Sequence, residues 1–226
     1  MGIDCSRVQA ICFDVDGTLS DTDDLWVQRL SKLLHPIRFV FPNKDGLPFA
    51  RWVVMSLETP GNLVYSIADR LNLDDEADRL FNAIARRRGG HKVKYFLLIP
   101  QVSEMLHKIA QRYPISVVSA RDQESTLAFL VQFELDHLFQ SVATSQTCQY
   151  TKPFPHPILW AAQQMNVAPE NCLMVGDTPV DIKAGKAAGA QTVGVLCGFG
   201  TEAELIKAGA DLILSTTADL VQILSL

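Results

Sequence analysis

The chain has 226 residues, of which 48% are hydrophobic and 20% charged, with a formal net charge of -5. That is enough apolar chain for a proper core, and the acidic balance excludes the broad positive footprint of a general nucleic-acid binder. No apolar run approaches membrane-spanning length and the N-terminus lacks a signal-peptide core, so no membrane association and a cytoplasmic setting are expected. In chain order, Val8–Phe13 reads as a short buried strand, followed by Asp14-Val15-Asp16-Gly17-Thr18-Leu19. Further strand-like runs fall at Ile115–Ser119, Ser141–Ala143, Cys172–Gly176, Gln191–Leu196 and Leu212–Leu214. Helical spacing falls between them, at Val102–Arg112, Gln123–Phe133, Ile158–Met165 and Val180–Ala188. Alternating strands and helices predict an α/β fold, a doubly wound parallel sheet of the Rossmann-like kind.

The stretch from 21 to 94 interrupts this alternation. Helical patterns at Leu25–Leu34, Phe49–Leu57, Leu63–Leu71 and Asp74–Arg87 follow one another without a convincing strand, punctuated by Pro42, Gly46, Pro48, Pro60 and Gly61. The expectation is a core built from residues 1–20 and 95–226 with an α-helical cap domain inserted at 21–94; a helical layer of the same domain is the alternative. The basic run Arg86–Lys94 reads as a solvated helix end or as a patch that steers anions.

Residues i and i+2 leave an extended backbone on the same side, so Asp14 and Asp16 come together at the end of the first strand. Like charges this close call for a cation or a shared proton, which points to a metal site or an acid/base pair; the plainer reading is an Asp-Gly turn. A second pair, Asp177 and Asp181, follows the strand Cys172–Gly176. Asp181 reads equally as a helix-start carboxylate or as a ligand. Two acidic clusters at one sheet edge, offering only oxygen, suit Mg2+. Ser119 at a strand end and Lys152 before Pro153 are candidate phosphate contacts. The five cysteines form no Cys-x-x-Cys pair and the five histidines show no ligand spacing, so reduced thiols and no histidine metal centre are expected.

In this order, Asp14-Val15-Asp16-Gly17-Thr18-Leu19, Ser119, Lys152-Pro153 and Gly176-Asp177 with Asp181 resemble the haloacid dehalogenase superfamily of phosphohydrolases, in its phosphoglycolate-phosphatase-like and phosphoglucomutase-like branch. The resemblance implies a Mg2+-dependent phosphatase acting on a small phosphorylated metabolite through an aspartyl-phosphate. It makes Asp14 the nucleophile and Asp16 the acid/base. Mg2+ would be held by Asp14, Asp177 and the main-chain oxygen of Asp16, with Asp181 as a further ligand or support. Ser119 and Lys152 would hold the phosphoryl oxygens.

Where relatives often carry Asn after the Ser or Thr, this chain has Ala120 and Arg121, which join Ser119 and Lys152 as candidate substrate contacts. His156 stands where a carboxylate is common, and reads as the opening of a helix. A phosphosugar mutase and a non-catalytic binding protein on the same fold are the alternatives. Neither the substrate nor the oligomeric state is legible.

Overall fold

The structure is a computed structural model and describes residues 2–21, 33–35, 41 and 96–226. Among these, six short strands form one sheet: β1 (Ala10–Phe13), β2 (Ile115–Val118), β3 (Ser141–Ala143), β4 (Cys172–Gly176), β5 (Gln191–Val195) and β6 (Leu212–Leu214). Their spatial order is β3-β2-β1-β4-β5-β6, and every neighbouring pair is parallel. The helices are α1 (Val102–Ala110), α2 (Gln123–Gln132), α3 (His156–Gln164), α4 (Pro179–Ala187), α5 (Glu202–Ala208) and α6 (Leu220–Ile223). The α/β parallel-sheet expectation is borne out. No helix among the described residues is long and apolar enough to cross a membrane.

Both faces of the sheet are covered, which is why its central strands are apolar throughout rather than alternating. Side chains of a strand point to opposite faces in turn. Ile11 and Phe13 of β1, with Leu173 and Val175 of β4, pack on one face against Val102, Leu106 and Ile109 of α1, Phe129 of α2 and Leu220 of α6. Ala10, Cys12, Cys172 and Met174 face the other way, against Ile158, Ala161 and Ala162 of α3 and Ala184 of α4. Each fully buried large side chain such as Phe13 or Leu173 contributes roughly 1.5–3 kcal/mol relative to exposure. All five cysteines are free, and Cys12 and Cys172 are core residues as expected.

The chain divides into two units, Met1–Thr22 with Lys92–Leu226, and Asp23–His91. All the elements named above belong to the first. Apart from Leu33 and Leu34, the helical patterns expected across 21–94 lie outside the described residues, as does the basic run Arg86–Lys94. Within the first unit the two ends of that segment run side by side: Asp21 N–H donates to Leu97 O at 2.8 Å and Ile99 N–H to Leu19 O at 3.0 Å. The chain therefore leaves and rejoins the sheet at one place, just beyond the Asp14–Leu19 stretch.

The strand order reverses direction at β1 and β4, since β2 and β3 lie on one side of β1 and β4 to β6 on the other. In open parallel sheets ligands bind outside the carboxyl ends of the strands at such a point. Asp14 directly follows β1 and Asp177 directly follows β4.

Candidate active site

Four polar segments leave the carboxyl ends of adjacent strands and converge. Asp14 continues the β1 ladder, its N–H donating to Val175 O at 3.0 Å. Ser119 follows β2 and is anchored by its own N–H on Ala143 O at 2.9 Å. Lys152 comes from the loop between β3 and α3, and Asp177 and Asp181 bracket the start of α4. Asp14, Ser119, Lys152, Asp177 and Asp181 are all buried. One oxygen each from Asp14, Asp177 and Asp181 lies within 4.8 Å of the others.

Lys152 Nζ binds Asp14 Oδ1 at 2.7 Å and Asp181 Oδ1 at 2.6 Å. Asp181 is a helix-start carboxylate. Its Oδ2 accepts from the N–H of Thr178 at 3.0 Å and from the Thr178 hydroxyl at 2.6 Å, completing a capping box at the start of α4. Its Oδ1 is left to face the cluster. Asp16 takes a different direction from Asp14: the guanidinium of Arg121 grips its carboxylate through both Nε, at 2.6 Å, and Nη2. The Asp16 carboxylate is thereby engaged by Arg121 rather than turned into the Asp14 cluster. Ala120 is exposed. His156 opens α3, as the helix-opening reading expected, and its ring packs beside that of Tyr150 with centroids 5.0 Å apart and a tilt of 41°.

Three carboxylates against one ammonium leave the cluster with an uncompensated negative charge. Burial is the main cause that pushes Asp14 up, to about 7; Lys152 pulls it down, and the carboxylates of Asp181 and Asp16 push it further up. Asp177 is raised well above the usual carboxylate range, again by burial first and then by Asp181 and Asp14. Burial alone would lower the Lys152 pKa, but the carboxylates of Asp14 and Asp181 outweigh it and hold the ammonium charged. Buried acids that resist ionisation for want of positive charge are what a divalent cation relieves, and a set of oxygen-only donors fits Mg2+.

A family model of haloacid dehalogenase-like hydrolases matches residues 11–195. The chain belongs to this family. Among curated proteins, the pyrophosphatase PpaX of Bacillus thuringiensis (strain Al Hakam) is 28% identical over 226 residues, covering 97% of each chain. Two solved structures share the fold. A HAD family hydrolase from Deinococcus radiodurans R1, with bound phosphate and sodium, aligns with a TM-score of 0.68 at 22% identity, covering 97% of this chain and 96% of its own. A predicted phosphoglycolate phosphatase from Haemophilus somnus 129pt aligns with a TM-score of 0.64 at 22% identity, covering 96% and 98%.

Sequence reasoning missed the residues that hold Asp177 in this haloacid dehalogenase-like hydrolase. The Thr18 hydroxyl donates to Asp177 Oδ1 at 3.3 Å, and the Phe199 N–H donates to Oδ2 at 2.8 Å. Thr18 is itself tied down, its carbonyl accepting from the Thr217 hydroxyl at 2.6 Å. The Cys197-Gly198-Phe199-Gly200 loop after β5 was the available signal, since two glycines at a strand end mark a close backbone approach. A Cβ on Gly198 would stand 2.2 Å from Asp177 Oδ2 and 2.6 Å from Gly17 O. Gly17 has φ 72°, a left-handed conformation that glycine alone adopts freely. Gly198→Ala is therefore expected to destabilise the protein by about 1–3 kcal/mol through overpacking. It should also weaken Mg2+ binding by displacing Asp177; denaturant unfolding with and without Mg2+ measures both, and a metal response like the parent's would refute the second effect.

Proposed function

We propose that the chain is a Mg2+-dependent phosphatase that hydrolyses a small phosphorylated metabolite through an aspartyl-phosphate intermediate. The observation that carries this reading is Asp14, buried at a strand end, held by Lys152 and grouped with Asp177 and Asp181. On this reading Asp14 is the nucleophile, Lys152 a phosphate contact, and Asp177 and Asp181 the acids beside the metal.

A carboxylate needs no base to become nucleophilic. In the first step an Asp14 oxygen bonds to phosphorus as the bond from phosphorus to the leaving oxygen breaks, and Asp16 passes its proton to that oxygen. In the second, Asp16 takes a proton from water, the water oxygen bonds to phosphorus, and the Asp14–phosphorus bond breaks, restoring the carboxylate and releasing phosphate. Ser119 Oγ accepts the Arg121 backbone N–H at 3.1 Å, which leaves its own O–H to donate to a phosphoryl oxygen. Lys152 spends two of its three donors on Asp14 and Asp181, and the third serves the phosphoryl group. Mg2+, held by Asp14, Asp177 and the Asp16 main chain with Asp181 in support, would neutralise charge on the transferring group.

The likeness to PpaX, a pyrophosphatase by name, favours including pyrophosphate as a candidate substrate. Phosphate release is to be measured across pyrophosphate, phosphorylated carboxylic acids and sugar phosphates, with Mg2+ or with EDTA. Metal-dependent free phosphate from at least one substrate is expected. An isomeric sugar phosphate without free phosphate would replace this reading with the mutase. Silence on every ester, with no adduct at Asp14 from a fluoride-metal phosphate mimic, would leave a binding protein.

A further inference from the structure

Arg121 is built into the site more firmly than a surface arginine. It lies in the turn between β2 and α2, two residues after Ser119, and its backbone N–H is bonded to the Ser119 hydroxyl. The next residue, Asp122, caps α2 by accepting the Ser125 N–H at 2.9 Å, so the turn is fixed at both ends. The guanidinium lies over the ring of Phe96, 5.3 Å from its centroid. Phe96 is held in turn by edge packing on the fully buried Phe129, with centroids 5.7 Å apart. From this platform Arg121 presents Nε and Nη2 as a fork to the two oxygens of Asp16. The Arg121 side chain is 13% exposed and that of Asp16 28%, so the pair is sheltered rather than solvated.

Among the described residues, Asp16 has no comparable support of its own. It follows Val15 in a loop that turns at Gly17, and a short side chain there has more than one rotamer open to it. We propose that Arg121 is a positioning residue for Asp16: the fork, braced on Phe96 and on the Ser119 turn, fixes the direction in which Asp16 delivers its proton to the leaving oxygen. This rests on the function proposed above. During transfer, the Asp16 oxygen that carries the proton gives up its N–H contact while the other keeps its own. The O–H is then aimed by the remaining bond; the proton goes to the leaving oxygen as its bond to phosphorus breaks, and the carboxylate returns to the two-pronged grip. A fork can do this and a point charge cannot, since a lysine offers no second parallel N–H.

The test separates help to the leaving group from phosphate binding. An aryl phosphate such as p-nitrophenyl phosphate needs little proton donation, whereas an alkyl phosphate such as glycerol 3-phosphate needs it strongly. The kcat/KM for each reports the transfer to Asp14 alone. Arg121→Ala is expected to lower kcat/KM about 10- to 100-fold on the alkyl ester and less than about threefold on the aryl ester. Arg121→Lys should show the same selectivity more mildly, and it serves if the alanine variant folds poorly. Guanidinium added to Arg121→Ala should restore part of the alkyl rate. In an Asp16→Asn background, Arg121→Ala should cost less than about threefold more on either ester, because a residue acting through Asp16 has nothing left to position. Equal losses on both esters, or a further large loss in the Asp16→Asn background, would overturn the assignment and make Arg121 a phosphate contact. A parent that hydrolyses neither ester, nor any other in the panel above, would fail the function itself and the assignment with it.

Discussion

Asp14→Asn is expected to abolish Mg2+-dependent phosphate release, by about 10⁴- to 10⁶-fold, the scale seen when a nucleophile that works as part of a unit is removed. The fold should survive the change. Asn keeps the shape of the side chain and removes a buried negative charge that its surroundings oppose: burial, Asp181 and Asp16 all disfavour the ionised form of Asp14. Lys152 keeps its contact with Asp181 at 2.6 Å, so the buried ammonium retains a partner. In EDTA the variant should therefore melt at the parent's temperature or above it, although it is inactive. A scan of Tm beside a phosphate-release assay reads both halves. Retention of more than a tenth of the parent's rate would mean that the nucleophile lies elsewhere. A large fall in Tm would mean that Asp14 supports the fold more than its electrostatics imply.

Much of this site is local in sequence and was legible for that reason. Asp14 is placed by the strand that ends one residue before it, although Asp16 lies beyond that strand and turns to Arg121 instead of following Asp14. The strands Ser141–Ala143, Cys172–Gly176 and Leu212–Leu214 are bounded by turn residues where the chain leaves the sheet. Asp181 was legible as a helix-start carboxylate from its place just after a strand, and its other oxygen meets Lys152. Helix α5 carried a comparable signature in Thr201-x-x-Glu204, but with only seven residues its apolar spacing gives a weak helical signal. Helix α6, four residues long, offers less than one repeat of such a pattern. The partners that set Asp177 and Asp16 were not legible, because they are matters of long-range approach. Thr18 reaches Asp177 across 159 positions and Arg121 reaches Asp16 across 105. Arg121 in isolation reads as a solvated or substrate-facing arginine. Only the sheet order, which sets β2 beside β1, brings its fork to Asp16.

The same electrostatics make stability depend on pH in opposite directions with and without metal. A carboxyl group whose folded pKa lies above its unfolded one binds protons more tightly when folded, so the stability it gives is full below the unfolded value and is lost as pH rises through the folded value. For Asp14 the window runs from its ordinary 3.8 to about 7, an upper effect of about 4 kcal/mol across roughly three pKa units. Asp177 is shifted the same way. Lys152, raised, keeps its contribution throughout this window and loses it only in strong alkali. Asp122 and Asp211 are lowered, and their contribution fades only as pH falls below the ordinary carboxylate range. In EDTA, Tm should therefore fall as pH rises from about 5 to about 8. Mg2+ requires the ionised carboxylates, so its stabilisation grows over the same interval. At about 100 times its Kd it supplies about 2.7 kcal/mol, or roughly 5–10 °C of Tm for a chain of this size. The Mg2+-induced rise should be largest near pH 8, smallest near pH 5, and absent at both in Asp177→Asn. A rise of equal size at the two pH values, or an EDTA series in which Tm climbs with pH, would show that these carboxylates are not held back by burial and do not form the metal site.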